Sequence, residues 1–336
     1  MAHLSIDKAQ ALAYRCLVAS GASAAMAHST ASALVRADAQ GLPSHGLSRV
    51  PQYATHLRNG RANGAAVPTV AKKKGAALLI DAHQGLAFPA CDMAIAEGIA
   101  IARELGVCFV GVKNSHHCGV VVDHLRAVAS AGMVGVGFSN SPAAMPAAGG
   151  KHPVFGTNPI AAVFPRRDAA PLMIDMSLSE VARGKLMVAS KEGRSIPLGW
   201  ALDTQGQPTT DPKAGMSGSM LAIGATSSSK GAMLALVVEL LVTAVIGAQF
   251  GFEASTFFED EGNQPRIGQS FLIIDPSALA GSDAYLDRME VFLTEIQRDD
   301  GVRLPGTRRL DLEVVAQTQG ITIPDLLKEQ IEKLAV

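Results

Sequence analysis

The chain has 336 residues, enough for two domains or one large lobed domain. Its 29 Lys and Arg nearly cancel its 30 Asp and Glu, and no basic stripe interleaved with aromatics appears, which argues against a nucleic-acid partner. A hydrophobic share of 48% supports a substantial core, while Cys16, Cys91, Cys108 and Cys118 include no CxxC pair and read as reduced thiols of a cytoplasmic protein.

The first residues, Met1 to Asp7, lack a cationic stretch followed by an apolar one, so no signal peptide is expected. Ser5 or Asp7 can cap a helix over 8–20, and Ser23 can cap a second helix reaching about Gln40. A third helical segment, 44–59, contains Pro51. Proline is tolerated in a first turn and kinks a helix interior, so this helix either starts near Ser48 or bends. Residues 1–74 thus read as a helical portion, joined by 300–336. From about residue 75 the pattern changes. An apolar run at 76–81 precedes a helix at 89–105, a strand at 106–112, a helix at 119–131 and a strand at 133–139. Further strands are expected at 160–164, 172–176 and 271–274, a loop at 190–212 and an amphipathic helix at 283–298. This alternation predicts an α/β domain over 75–299. The apolar segment 231–250 approaches membrane-spanning length. Glu239 near its centre would cost roughly 2.5–3.5 kcal/mol on insertion, so the segment reads as a buried helix and no membrane partner is expected.

The stretch Pro43-Ser44-His45-Gly46-Leu47-Ser48-Arg49 sets an acid–base side chain four residues from a fixed cation. On one helical face, His45 could supply a proton while Arg49 clamps a carboxylate, which suits a small 2-oxo or 2-imino acid. No GxGxxG follows a strand and no GxxxxGK[ST] is present, so a nucleotide must be held by another arrangement. Asn114-Ser115-His116-His117-Cys118-Gly119 follows a strand and reads as a ligand-binding loop or a structural one. A metal site drawing on His116, His117, Cys118 and His124 matches no common zinc spacing, and no metal is expected. Phe155-Gly156-Thr157-Asn158-Pro159 marks a tight turn in which Thr157 can offer a hydroxyl to a carboxylate. Ile174-Asp175-Met176-Ser177-Leu178-Ser179 ends a strand before Ala182-Arg183-Gly184-Lys185. Its serines can cap a helix or hold a phosphate or ribose. Ser227-Ser228-Ser229-Lys230-Gly231 opens the apolar helix and can serve as a cap or an anion site. Arg303-Leu304-Pro305-Gly306-Thr307-Arg308-Arg309 is a solvated loop or a grip for a 2′-phosphate, favouring NADP over NAD.

As an ordered set over about residues 5–310, these motifs resemble the type 2 malate/L-lactate dehydrogenase family of NAD(P)-dependent oxidoreductases. The carriers include Ser44-His45-Gly46, Arg49, Tyr53, Asn114 to Gly119, Gly156 to Pro159, Asp175 to Ser177, Ala182 to Lys185, Lys230-Gly231 and Leu304 to Gly306. The resemblance implies a non-Rossmann α/β fold, with a mixed sheet flanked by helices and a helical N-terminal portion. It also implies a homodimer with active sites near the subunit interface. By the same resemblance, Ser44 and His45 are catalytic, with His45 the proton donor oriented through Ser44. Arg49, Thr157, Arg183 and Gly184 bind substrate. His117, Cys118, Gly119, Val120, Val121, Asp175, Met176, Ser177, Lys230, Gly231 and Arg303 to Arg309 (Arg303, Leu304, Pro305, Gly306, Thr307, Arg308, Arg309) hold NADPH, with NADH as the alternative.

Within the family, 227–236, 250–269 (with Phe257-Phe258) and 304–309 look most like the Δ1-pyrroline-2-carboxylate/Δ1-piperideine-2-carboxylate reductases. The expected reaction is therefore NADPH-dependent reduction of a cyclic 2-imino acid to L-proline or L-pipecolate. A malate/lactate-type 2-hydroxy-acid dehydrogenase is the alternative, since His45 and Arg49 would serve C=O equally well. A metal-dependent hydrolase on His116, His117 and Asp123 or His124 is the rival from another class. Two departures bear on substrate choice. Three serines precede Lys230 where the family often has glycines and a histidine or tyrosine. Lys185 stands where some piperideine-2-carboxylate reductases carry an aspartate.

Overall fold

In the computed structural model, which describes residues 1–336, Ser5 and Ser23 open the first two helices. Their hydroxyls accept from the backbone N–H of Lys8 and Met26, each at 3.3 Å, at the starts of α1 (Ile6–Ala19) and α2 (Ala24–Ala39). Pro51 lies in the first turn of α3 (Val50–Arg58), where its missing N–H has no helical partner to lose. The segment before it is not a helix. Pro43–His45 and Leu47–Arg49 are two single-turn 3-10 helices joined at Gly46. The expected continuous helical face for His45 and Arg49 is thus absent, because the chain breaks between them.

Strand β1 (Ala2–Leu4) is paired far away in sequence, as described below. Next come β2 (Thr69–Lys74), β3 (Ala77–Asp81), α4 (Ala87–Leu105) and β4 (Val107–Ser115). The helix expected at 119–131 is split into α5 (Val121–His124) and α6 (Arg126–Ser130), followed by β5 (Val134–Ser139). A short ribbon, β6 (Met145–Pro146) and β7 (Pro153–Phe155), precedes β8 (Ile160–Phe164) and β9 (Leu172–Met176). Then follow α7 (Arg183–Lys191), β10 (Ala201–Leu202), α8 (Pro212–Ser217), β11 (Ser219–Met220) and α9 (Lys230–Val242). The chain closes with β12 (Ile267–Ile274), α10 (Ser282–Ile296), α11 (Thr307–Gln319), β13 (Ile321–Ile323) and α12 (Asp325–Leu334).

Seven strands form one mixed sheet in the order β2-β3-β4-β12-β5-β8-β9. Only β3 and β4 run parallel, joined by α4 as the crossover. Every other neighbouring pair is antiparallel. Strand β12 arrives from far along the chain and inserts between β4 and β5. On β4, Val110 points toward Gly98 of α4, whereas Gly111 abuts Ile246 just beyond α9. Successive strand residues face opposite sides, so α4 and the end of α9 cover opposite faces.

Three hydrophobic clusters fill the molecule. One joins α1 to α3 with Ala316, Ile321, Ile323 and Ile331 from the C-terminus, and β1 pairs there with β13, Ala2 opposite Ile323. A second lies between the sheet and α4 to α6. A third surrounds α9, with Phe155, Leu178, Leu186 and Met220 among its members.

No helix is long and apolar enough to cross a membrane. Helix α9 stops at Val242, short of the residue 250 expected from hydropathy. Glu239 explains its placement. This carboxylate is buried and accepts from Asn158 Nδ2 (2.8 Å), the Gly251 amide (2.8 Å) and Asn140 Nδ2 (3.3 Å). Burial pushes its pKa up, opposed by those donors. Glu239→Ala takes one acceptor from each of three buried groups, of which the Asn140 and Asn158 amides keep only their bonds to the Gln249 and Ala235 carbonyls. It is expected to destabilise the fold by about 2–4 kcal/mol, read from urea unfolding. Unchanged stability would show that the three donors find other partners.

Candidate active site

Asp38 of α2 holds the turn that carries the Ser-His-Gly motif. Its carboxylate accepts from the Leu47 amide at 2.6 Å, and a Cβ at Gly46 would overlap it. Only glycine therefore permits this approach. Burial pushes the Asp38 carboxyl up to about 6. Within the turn, Ser44 Oγ lies 2.9 Å from His45 Nδ1, which leaves Nε2 to face a ligand. Arg49 reaches back with Nε to the Ser44 carbonyl at 2.7 Å and donates through Nη1 to Gln52 Oε1 at 2.9 Å. Backbone-directed bonds, not a helical stripe, thus bring His45 and Arg49 together.

Strand β4 delivers the second loop. Asn114 adopts φ +52°, a left-handed conformation that asparagine tolerates, and donates Nδ2 to both Asp81 carboxylate oxygens at 3.0 Å. Beyond it, His117 Nδ1 accepts from the Gly119 amide (3.3 Å) and lies 2.6 Å from Tyr53 OH. The His117 proton therefore rests on Nε2. The His45 and His117 rings are 5.5 Å apart. Burial drives His45 down to about 4, and the cations of Arg49 and Arg309 push the same way. His117 falls well below the usual histidine range for like reasons: burial first, then Arg49.

The C-terminal arginine segment meets the end of β9. Arg309, in the first turn of α11, pairs with Asp175, Nη1 to Oδ2 at 3.0 Å. Burial raises the Asp175 pKa against the pull of that cation. Arg303 and Arg308 stand exposed without a protein partner. Ser177 Oγ meets Ser179 Oγ at 2.6 Å, and Lys230 begins α9. These hydroxyls, exposed cations and helix N-terminus suit the phosphates of a dinucleotide, so the donor set fits NADP.

A third loop closes the group. Phe258 lies against two guanidiniums, 5.3 Å from Arg49 Cζ and 5.2 Å from Arg183 Cζ. Arg183 otherwise donates only a long bond to the Met216 carbonyl, 3.4 Å, and neither arginine pairs with a carboxylate of the protein. Burial lowers the pKa of each.

The expected residues Ser44, His45, Arg49, His117, Arg183, Asp175 and Arg309 therefore converge. Thr157 is half-buried in its turn. Its amide donates to Ser141 Oγ and its carbonyl accepts from Leu178, and its hydroxyl makes no bond to the cluster. Gly184 is exposed beside Arg183 at the start of α7. Cys118 is buried against Ser139 Oγ, and the side chains of Val120 and Val121 belong to the core. Gly119 abuts Phe88, while Gly231 packs under the Ile223 carbonyl. Leu304 is buried, Pro305 and Thr307 are exposed, and Gly306 abuts Met173. Met176 and Lys185 are exposed.

The side chains of the hydrolase rival are engaged elsewhere. His116 Nε2 meets His56 Nδ1 at 2.9 Å, His124 Nε2 donates to the Cys118 carbonyl, and Asp123 binds Gln40 and Arg126. No three His, Cys, Asp or Glu side chains group as metal ligands. A cavity of about 530 Å³ between α2, α4 and α5 reaches Cys118 and Val120, but its charges are engaged by protein groups: Arg126 pairs with Asp123 and Glu313, Arg36 with Glu313, and Asp92 accepts from Ser29. Residue-by-residue reading missed what Gln52, Arg61 and Phe258 do. Their contacts join positions some 200 residues apart, and no local pattern announces them.

The sequence pattern of the malate/L-lactate dehydrogenase family matches residues 4–332. The chain is 44% identical over 333 residues to a (2R)-3-sulfolactate dehydrogenase (NADP(+)) of Chromohalobacter salexigens, covering 99% of this chain and 98% of that protein. It is 34% identical to Δ1-pyrroline-2-carboxylate reductase 1 of Burkholderia ambifaria, covering 98% and 96%. It is also similar to the crystal structure of Δ1-piperideine-2-carboxylate reductase from Pseudomonas syringae pv. tomato. The TM-score there is 0.92 at 32% identity, over 99% of this chain and all of the other.

The geometry makes His45 sensitive to a neighbouring charge. In the ligand-free protein its imidazole signal is expected to titrate near pH 4 by NMR. In Arg49→Gln, where a like charge is gone, the midpoint is expected to move upward. An unmoved midpoint would remove Arg49 from the electrostatics of His45.

Proposed function

The chain belongs to the malate/L-lactate dehydrogenase family of oxidoreductases, and we propose that it moves a hydride between NADPH and C2 of a small 2-oxo or 2-hydroxy acid carrying a second anionic group, as sulfolactate does. The observation that carries this reading is the pair Arg49 and Arg183, two guanidiniums against one ring, neither in a salt bridge, with only the longer-range charge of Glu259 acting on Arg183. A poorly solvated cation without a counter-ion is costly, and a dianionic substrate supplies two. The 44% identity to an NADP-dependent sulfolactate dehydrogenase supports the same choice.

In this mechanism Arg49 forks onto the C1 carboxylate, as its planar guanidinium suits. Arg183 meets the second anion. Thr157 and Gly184 complete the substrate side. When bound, the nicotinamide supplies the hydride to C2 during reduction. His45 Nε2 gives its proton to the C2 oxygen, so the carbonyl gains one hydride and one proton and becomes the alcohol. Ser44 holds Nδ1 and fixes the direction of Nε2. The arriving anions offset Arg49 and raise His45 from its low ligand-free value, which loads the proton when substrate is present. His117 to Val121, Asp175 to Ser177, Lys230-Gly231 and Arg303 to Arg309 hold the cofactor. The exposed Arg303 and Arg308 answer the 2′-phosphate, so NADPH is favoured over NADH.

The cyclic imino acid expected from sequence remains the second reading. It is favoured by the 34% identity to a pyrroline-2-carboxylate reductase and by the likeness to the solved piperideine-2-carboxylate reductase. His45 and Arg49 would protonate and anchor a C=N substrate in the same way. A screen of NADPH and NADH against 3-sulfopyruvate, oxaloacetate, pyruvate, Δ1-pyrroline-2-carboxylate and Δ1-piperideine-2-carboxylate decides between them. Turnover is expected to be highest with NADPH and a dianionic keto acid. In His45→Ala it is expected to fall by about 10²–10⁴-fold with NADPH affinity retained. Turnover confined to the imines would overturn the dianion reading.

We also propose a homodimer. Helix α9 turns Met233, Leu236, Val237 and Leu240 outward, a contiguous apolar face that a second copy can cover. Sedimentation is expected to give a dimer for the native protein and a monomer for Val237→Asp. A native monomer would refute it.

A further inference from the structure

Arg61 is a buried guanidinium in no contact salt bridge, with the charges of Glu259 and Asp260 nearby, and its five N–H groups meet acceptors. Nε donates to the Asn263 carbonyl (3.2 Å), Nη2 to those of Ser255 and Thr256 (3.1 Å each), and Nη1 to that of Glu259 and to His56 Nε2 (3.2 Å). Four of the five acceptors are backbone carbonyls of one irregular loop, 255–263. Helix α3 and its exit add two more ties to the same loop: Gln52 donates to the Phe257 carbonyl and Asn59 to that of Asp260. A loop without regular secondary structure must satisfy its carbonyls individually, and here one side chain satisfies four of them.

The outward product of this wrapping is the Phe257-Phe258 pair. Phe257 is buried against the His116 and His117 rings, at 5.0 and 5.5 Å. Phe258 is 48% exposed and touches both unpaired guanidiniums. Arg49 and Arg183 come from distant parts of the chain, and beside their separate bonds to the Ser44 carbonyl and Gln52 and to the Met216 carbonyl the Phe258 ring is the contact they share. Gln52 connects the two systems, because it binds Arg49 Nη1 as well as the Phe257 carbonyl.

We propose that Phe258 is a specificity-determining residue, seating Arg49 and Arg183 at the spacing that selects the length of a dianionic substrate, and that Arg61 is the positioning residue that holds Phe258 there. This rests on the two-anion reading above. The ring's place sets the distance between the two cations, and that distance sets which separation of anionic groups binds. Lysine at position 61 would offer three donors where five are used.

The test is competitive inhibition by malonate, succinate and glutarate, with propionate as the single-charge control, in the native enzyme, Phe258→Ala, Phe258→Tyr and Arg61→Lys. The native enzyme is expected to favour one chain length over its neighbours and over propionate. Phe258→Ala is expected to flatten or move that optimum by about tenfold in the ratio of inhibition constants, with NADPH binding unchanged. Phe258→Tyr, which keeps the ring, is expected to retain it, and Arg61→Lys to reproduce the alanine effect. If Arg61→Lys does not fold, Phe258→Ala alone decides, since its ring is not in the core. A native optimum that survives Phe258→Ala overturns this inference and leaves the two-anion reading standing. A native enzyme indifferent to the second charge overturns both.

Discussion

One buried carboxylate, Glu239, ties the outer helix of the sheet to the loops that build the site. Its three donors come from Asn140 after β5, Asn158 before β8 and the Gly251 amide, which opens the stretch leading to Phe257 and Phe258. A carboxylate in a protein interior is tolerated only where donors converge on it. Asn158 serves doubly. It holds a left-handed φ of +40° and also donates to the Ala235 carbonyl, which locks the Thr157 turn against α9. The polar residue that keeps this apolar segment from reading as a membrane span is thus the one that registers the site loops.

The active cleft follows a different electrostatic rule. Arg61 spends all of its hydrogen-bonding capacity on protein carbonyls, whereas Arg49 and Arg183 keep much of theirs unspent. The first is held by loop carbonyls with the charges of Glu259 and Asp260 nearby. In the proposed function the other two take the anions of the substrate. Burial first, and then the cations of Arg49 and Arg309, disfavour a charged His45 and hold its pKa down at about 4 in the ligand-free site. In the proposed mechanism an anionic substrate offsets those cations, so that substrate charge and proton donation are coupled through electrostatics.

The chain shares its family with a sulfolactate dehydrogenase and cyclic-imine reductases. In the proposed mechanism His45 and Arg49 serve C=O and C=N alike. The proposed discrimination therefore lies in what surrounds them, a second cation on a shared aromatic ring. The dinucleotide-type cradle likewise lacks a glycine fingerprint. As proposed, it draws on the end of β9, the N-terminus of α9 and the arginine turn before α11, of which the first and last are joined by the Arg309–Asp175 pair.

Local chemistry was readable directly from the chain. Ser5 and Ser23 cap where a capping serine is expected, β8 and β9 coincide with their apolar runs, and Glu239 marked its helix as internal. The family was legible for the same reason, since each motif that carries it is short and contiguous. What the tertiary structure alone decided is non-local. It broke the helix between His45 and Arg49 and rejoined them through the Ser44 carbonyl. It placed β12 between β4 and β5, paired β1 with β13, and wrapped loop 255–263 around Arg61. Periodicity and capping report the free energy of neighbours within a few residues. The seating of two arginines on Phe258 depends on contacts across the chain, and only the folded chain resolves which of those contacts close.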